Sequence, residues 1–184
     1  MEQNFENANS AWTGAAKDGI YLALVTVVAQ AINAFFPVPI VGTILWFAKL
    51  AGSIWLLLRF MKAFAASGHG SSVAGYGIKV CLFSSIICAS FAFALYSFIK
   101  PELVTEAFEQ IPAMLGGATL PDEAEDMLLK MEDNFAQYAF AGTLIWDFIC
   151  GLLFSAILAG PAIQAVIVAG DGSQQANDNQ EEEL

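Results

Sequence analysis

The chain alternates between long apolar runs and shorter polar segments. Four apolar runs stand out, at residues 19–36, 40–58, 76–99 and 138–160. The third is the longest, with 24 residues and a single charge at Lys79. As a helix it would rise about 36 Å, enough to cross a hydrocarbon core of roughly 30 Å. We therefore predict an all-α membrane protein with four transmembrane helices.

The segments between the runs predict the connections. Pro37-Val38-Pro39 leaves room for only a tight turn, and the Gly- and Ser-rich residues 61–75 predict a loop. Residues 101–137 carry nine acids, and their apolar residues recur at helical spacing. This pattern predicts two amphipathic helices that are separated at Gly116-Gly117. No breaker follows the second one, so the pattern allows it to continue into the fourth span.

Both ends of the chain are polar. Residues 1–18 predict a polar segment before the first span, and residues 170–184 predict an acidic, disordered tail. Pro161 should kink or end the fourth helix. A cleaved signal peptide is the alternative interpretation of the first run. However, acids at Glu2, Glu6 and Asp18 stand where secretion signals are positively charged, so we expect an uncleaved span.

The composition supports a lipid bilayer as the solvent of this chain. Hydrophobic residues make up 57% of the sequence and charged residues 14%, whereas soluble domains average about 25% charged residues. The net charge of −11 argues against nucleic acid as a partner, because phosphate binding needs clustered Lys and Arg. The three cysteines all lie in apolar runs, where they are expected to behave as small hydrophobic residues.

The basic residues predict the orientation, because Lys and Arg in short loops tend to stay in the cytoplasm. One side of the predicted membrane carries Lys17, Arg59, Lys62 and Lys79, and the other carries Lys100 and Lys130. With four spans, this asymmetry places both termini in the cytoplasm and residues 101–137 outside.

Lys49 and Asp147 are the two charges placed well inside predicted spans. Each would cost about 2.5–3.5 kcal/mol at a helix centre, so we expect both to face the bundle interior. Each lies nine positions after its run begins, which predicts equal depth and an ion pair. Thr143 lies on the same face of the fourth helix as Asp147, and Gln30 and Asn33 share one face of the first helix. Together these residues form a predicted polar seam. The seam is either a proton, ion or substrate path, or a structural pair that fixes helix register.

One stretch of the sequence resembles a known family. Residues 75–110 read GYGIKVCLFSSIICASFAFALYSFIKPELVTEAFEQ. Tyr76-Gly77 before the third span and Pro101-Glu102 after it resemble a family of small bacterial inner-membrane proteins known as domain of unknown function 4199. Members have four spans and a basic loop after the second. The resemblance implies this topology and a bacterial inner-membrane location, and it implies no activity.

These patterns lead to two functional hypotheses. The first is a non-enzymatic accessory subunit or assembly factor that binds other membrane proteins or itself. Its contact surface would lie on the apolar faces of the outer helices, at Phe108, Ile111, Met127, Met131 and Phe135. The alternative is that these helices cap their own bundle. The second hypothesis is a small transporter or channel subunit that uses Lys49 and Asp147. No nucleophile with a base and no metal-ligand spacing is visible, so we expect no catalytic residues, metal or cofactor.

Overall fold

The chain folds into helices, and four of them are long and apolar enough to cross a membrane. The computed structural model describes residues 2–67, 72–114 and 121–181, with the side chains of residues 11–67, 72–111, 121 and 123–169. Within these ranges there is no β-strand. The helices are α1 (Glu2–Phe35), α2 (Pro39–Ala66), α3 (Val73–Ala94), α4 (Glu102–Met114), α5 (Asp122–Asp133) and α6 (Phe135–Glu181). The candidate spans are Ala11–Phe35, Pro39–Ala66, Val73–Ile99 and Phe135–Ala169, which confirms the predicted all-α membrane fold.

The third span is the centre of the bundle. α3 makes its largest interfaces with α6 and α1, and α2 packs against α6, α1 and α3. Of the four spans, the third has the largest buried share. The first and third spans run in one direction, and the second and fourth run back. The bundle therefore has a basic end, with Lys17, Arg59, Lys62 and Lys79, and an opposite end where α4 and α5 lie.

Glycines let α3 approach its two main neighbours closely. A Cβ atom on Gly19 of α1 would lie 2.6 Å from Cβ of Phe83, and one on Gly151 of α6 would collide with Cβ of Cys81. In the same α3–α6 interface, a Cβ atom on Gly77 of α3 would lie 2.8 Å from Oγ of Ser155 of α6. Small residues of this kind allow the backbone contact that holds membrane helices together without a hydrophobic driving force.

The third span ends in an unusual turn. Residues Leu95–Ile99 form a π-helical turn, closed by a 2.7 Å hydrogen bond from Lys100 N–H to the Leu95 carbonyl. Lys100 then forms a 3.1 Å ion pair with Glu102, the first residue of α4. A hydrogen bond from the backbone N–H of Glu102, together with Lys100, holds the pKa of the Glu102 carboxyl below its usual range.

α4 caps the end of the bundle that is opposite to the basic end. Phe108 is buried, and its ring meets Phe135 edge to face at 5.9 Å between centroids. Phe135 in turn meets Tyr96 of the π turn at 5.2 Å. Edge-to-face aromatic pairs of this kind add about 0.5–1.5 kcal/mol beyond the burial of their surface. Phe108 is therefore buried inside the chain, which corrects our placing of it on a contact surface, whereas Phe135 is half-buried.

Several helix boundaries differ from the sequence-based ones. α1 already includes residues 2–18, and α2 continues past the charges at Arg59 and Lys62 to Ala66. Leu57, Met61 and Phe64 share one face and are buried, so packing extends the helix beyond the apolar run. The predicted break at Gly116-Gly117 and the loop glycines Gly68 and Gly70 lie outside the described residues.

The helix of the fourth span is separate from α5, and it continues further toward the C-terminus than predicted. Asn134 interrupts the helical path between α5 and α6, and its side-chain amide donates to the Lys130 carbonyl at 2.8 Å. A polar side chain that bonds its own backbone can end a helix without Gly or Pro, which is why no breaker was visible. α6 then continues through Pro161 to Glu181, so the predicted disordered tail is helical up to that residue. Extending an existing helix is much easier than starting one.

Candidate intramembrane cavity

A cavity of about 210 Å³ lies between the four spanning helices. Each helix contributes to its wall, so it forms only when the complete bundle is assembled. The lining residues are Leu22 and Thr26 of α1; Trp46, Lys49, Leu50, Ser53, Ile54 and Leu57 of α2; Cys81, Ser84 and Ser85 of α3; and Trp146, Asp147, Cys150, Gly151 and Phe154 of α6. The wall is mostly apolar, with a few polar groups, as is typical of sites for small molecules.

Lys49 and Asp147 both face this cavity, from α2 and α6 respectively. The charge of Lys49 acts on the Asp147 carboxylate, yet no nitrogen–oxygen distance of 4.0 Å or less joins them in the described part of the chain. Neither side chain has a hydrogen bond to any other described residue. The predicted ion pair is therefore not formed, and two charges stand unpaired in the middle of a membrane bundle.

The register of the helices explains this separation. A Cβ on Gly77 would lie 3.0 Å from both Met61 Sδ and Ser155 Cβ, so positions 61 of α2 and 155 of α6 lie at about the same level. Counting back twelve residues along each helix brings Lys49 level with Thr143. Asp147 then lies about one helical turn, or about 6 Å, further toward the basic end. The prediction of equal depth took both apolar runs to begin at the same level, whereas by this register residue 40 lies level with residue 134, four residues before the fourth run begins.

The other predicted seam residues do not line the cavity. Gln30 is half-buried, and its Oε1 atom is buried without a hydrogen-bond partner among the described residues. Asn33 is exposed and lies against Gly42, where a Cβ would be 2.9 Å from its Oδ1. Thr143 is half-buried on α6. The structure therefore gathers Lys49 and Asp147 into one site and leaves the predicted seam discontinuous.

Sequence reasoning missed part of the cavity wall. Cys81 and Cys150 line it, although their apolar surroundings had suggested packing alone. Ser84 of α3 lines it too. The signal that could have found these residues is their position on the α3 and α6 faces that meet at Gly151.

A second polar cluster, also missed from the sequence, lies at the basic end. The Tyr76 hydroxyl donates a 2.7 Å hydrogen bond to Oδ2 of Asp18, which joins α3 to α1. The Tyr76 ring stacks on Phe64 of α2 with centroids 4.0 Å apart and planes 6° apart. Tyr76 is thus part of a helix, not of a turn before the span. A cavity of about 230 Å³ adjoins this cluster.

The described residues contain no group of three or more His, Cys, Asp or Glu side chains that could hold a metal ion. No known protein family, no curated protein and no solved structure matches the chain. The resemblance to domain of unknown function 4199 therefore stays a prediction.

Proposed function

We propose that this protein binds a small polar solute in its intramembrane cavity, as a small transporter or as a channel subunit. It acts without catalysis, because the cavity wall offers charge and hydroxyl groups but no nucleophile paired with a base. A small transporter or channel subunit was the second of the two hypotheses from the sequence.

The observation that carries the proposal is the absence of partners for Lys49 and Asp147 among the described residues. A charge at the centre of a membrane is retained only when a partner, water or a bound solute solvates it. Because the two charges face a common cavity instead of each other, an occupant of that cavity is the simplest source of solvation. A purely structural pair would be in direct contact.

The test uses Lys49→Met and Asp147→Asn, which remove one charge each with little change in side-chain shape. We expect both variants to be folded and monodisperse after purification but to lose solute flux in proteoliposomes. Lys130→Met and Asp126→Asn are matched controls, because they make the same changes on exposed positions of α5. Loss of folded protein in both cavity variants, with rescue by exchange of the two charges, would instead identify a structural pair.

We further propose a bacterial cytoplasmic membrane as the location, with both termini in the cytoplasm. The basic end supports this orientation, since it holds four of the seven basic residues of the chain. Two of them lie over tryptophan rings, Lys79 over Trp12 at 4.9 Å and Arg59 over Trp55 at 5.5 Å. Tryptophan and basic side chains are both typical of the membrane interface.

An accessory subunit is the second candidate, and the exposed face of α5 favours it. Met127 and Met131, one helical turn apart on this face, are 66% and 47% exposed. Ile111 of α4 is half-buried, so only the α5 part of the predicted contact surface is open to a partner. The size of the particle extracted from native membranes separates the two candidates: a single bundle favours the solute site, and a larger complex that is lost in Met127→Gln favours the subunit.

A further inference from the structure

We infer that the ligand of the cavity is a small zwitterion, with one carboxylate, one ammonium group and an apolar substituent. This inference rests on the proposed function, because it names the class of solute that the same cavity would take. Amino acids are the simplest molecules of this class.

The charges on the cavity wall balance each other. The cavity wall carries one cation, Lys49, and one anion, Asp147, on different helices. A ligand carboxylate would pair with the Lys49 ammonium while the ligand ammonium pairs with the Asp147 carboxylate. A zwitterion satisfies both and adds no net charge. A ligand with a single charge would satisfy one group, repel the other and bring net charge into a medium of low dielectric constant, which is costly.

The two charged groups are offset along the bundle axis. Since Lys49 and Asp147 lie about one helical turn apart along the bundle axis, a ligand between them needs charges at two separate points. Ser53, four residues after Lys49, also lines the cavity, and its hydroxyl has no hydrogen-bond partner among the described residues. By the register that places Lys49 level with Thr143, Ser53 lies level with Asp147, so its hydroxyl oxygen is placed to accept a hydrogen bond from the ligand ammonium group.

Most of the remaining cavity wall is apolar. Leu50, Ile54 and Phe154 lie among the apolar lining residues and would contact a hydrocarbon substituent. The cavity of about 210 Å³ suits a small solute instead of a lipid or a large cofactor.

The experiment compares matched probes on the purified full chain in an uncharged maltoside detergent and phosphate buffer. Valine and 4-aminobutanoate are the zwitterions, isovalerate is valine without its amino group, and isobutylamine is valine without its carboxylate. Tryptophan fluorescence is a direct readout, because Trp46 and Trp146 line the cavity. We expect at least one zwitterion to change the fluorescence saturably and to raise the unfolding temperature, and neither single-charge analogue to do so.

Variants then test the pairing. Lys49→Met and Asp147→Asn should each weaken zwitterion binding by about 10- to 100-fold, as expected when a hydrogen-bonded charge partner is lost. The exchange Lys49→Asp/Asp147→Lys should restore part of the affinity, because a zwitterion can bind in the reverse direction. Lys130→Met and Asp126→Asn should leave binding unchanged.

The outcomes separate the two levels of the proposal. Binding of isovalerate or isobutylamine, with no binding of either zwitterion, would overturn the inference that the ligand is a zwitterion. The proposed solute site would remain. No binding of any of the four probes to the folded protein would overturn both. Zwitterion binding that is indifferent to both charge removals would overturn the assignment to this cavity.

Discussion

Charged residues within the spans fall into two classes, according to whether the protein itself supplies a partner. Asp18 accepts a 2.7 Å hydrogen bond from Tyr76, whose ring is fixed against Phe64. Lys49 and Asp147 have no such partner in the described part of the chain. A fixed, satisfied carboxylate contributes to stability, whereas the unsatisfied charges that face the cavity are the basis of the solute site that we propose.

Replacement of Tyr76 by Phe tests the first class. It removes the donor to Asp18 but keeps the ring that stacks on Phe64, so we expect a loss of about 1–3 kcal/mol in the free energy of unfolding. Denaturation by SDS in mixed micelles measures this change. Tyr21→Phe is the control, because it makes the same substitution on an exposed position of α1. Equal stability of the two variants would show that the Asp18–Tyr76 bond contributes nothing.

At the scale of elements, the sequence predicted which segments cross the membrane better than where the helices end. The apolar runs mark the length that lipid covers, and charges such as Arg59 and Lys62 mark where that length stops. The α2 helix itself continues to Ala66, because Met61 and Phe64 still pack against the core. A charge marks the end of an apolar run, but only loss of packing or a backbone constraint ends a helix.

Close packing of α3 against α6 leads to a prediction at Gly151. A methyl group there would collide with Cys81, so we expect Gly151→Ala to lower the free energy of unfolding by about 1–3 kcal/mol. Gly142→Ala on the same helix is the matched control, since a Cβ at Gly142 would meet nothing within 4 Å. That control should be neutral or gain up to about 1 kcal/mol from helix propensity. Thermal unfolding in detergent compares the pair, and equal effects would refute tight α3–α6 packing.

At the scale of the whole molecule, the candidate site was only half predictable. Lys49 and Asp147 stand out in the sequence because charges inside apolar runs are rare. Their relation to each other depends on the register of α2 against α6, which Gly77, Met61 and Ser155 set by contacts between distant parts of the chain. Periodicity within one helix carries no information about that register. For the same reason the Asp18–Tyr76 bond, between residues 58 positions apart, was not foreseen.

Orientation is the whole-molecule property that decides which side of the membrane α5 faces. If the basic end lies in the cytoplasm, α5 faces the outside. The acidic residues of α5 do not decide this orientation, because Asp and Glu contribute little to topology. Glu125→Cys on α5 should therefore react with a membrane-impermeant maleimide in intact spheroplasts. Ser67→Cys, at the C-terminal end of α2, should react only after permeabilisation.

The labelling experiment needs a background in which native thiols stay silent. Cys81 and Cys88 are buried, and the half-buried Cys150 is replaced by Ser in both variants. Because Glu125 and Ser67 are both exposed, a difference in labelling reports the side of the membrane and not accessibility within the fold. The reverse pattern would invert the molecule, and with it the direction in which a solute at Lys49 and Asp147 would enter. It would also mean that four basic residues at one end do not determine the orientation of this chain.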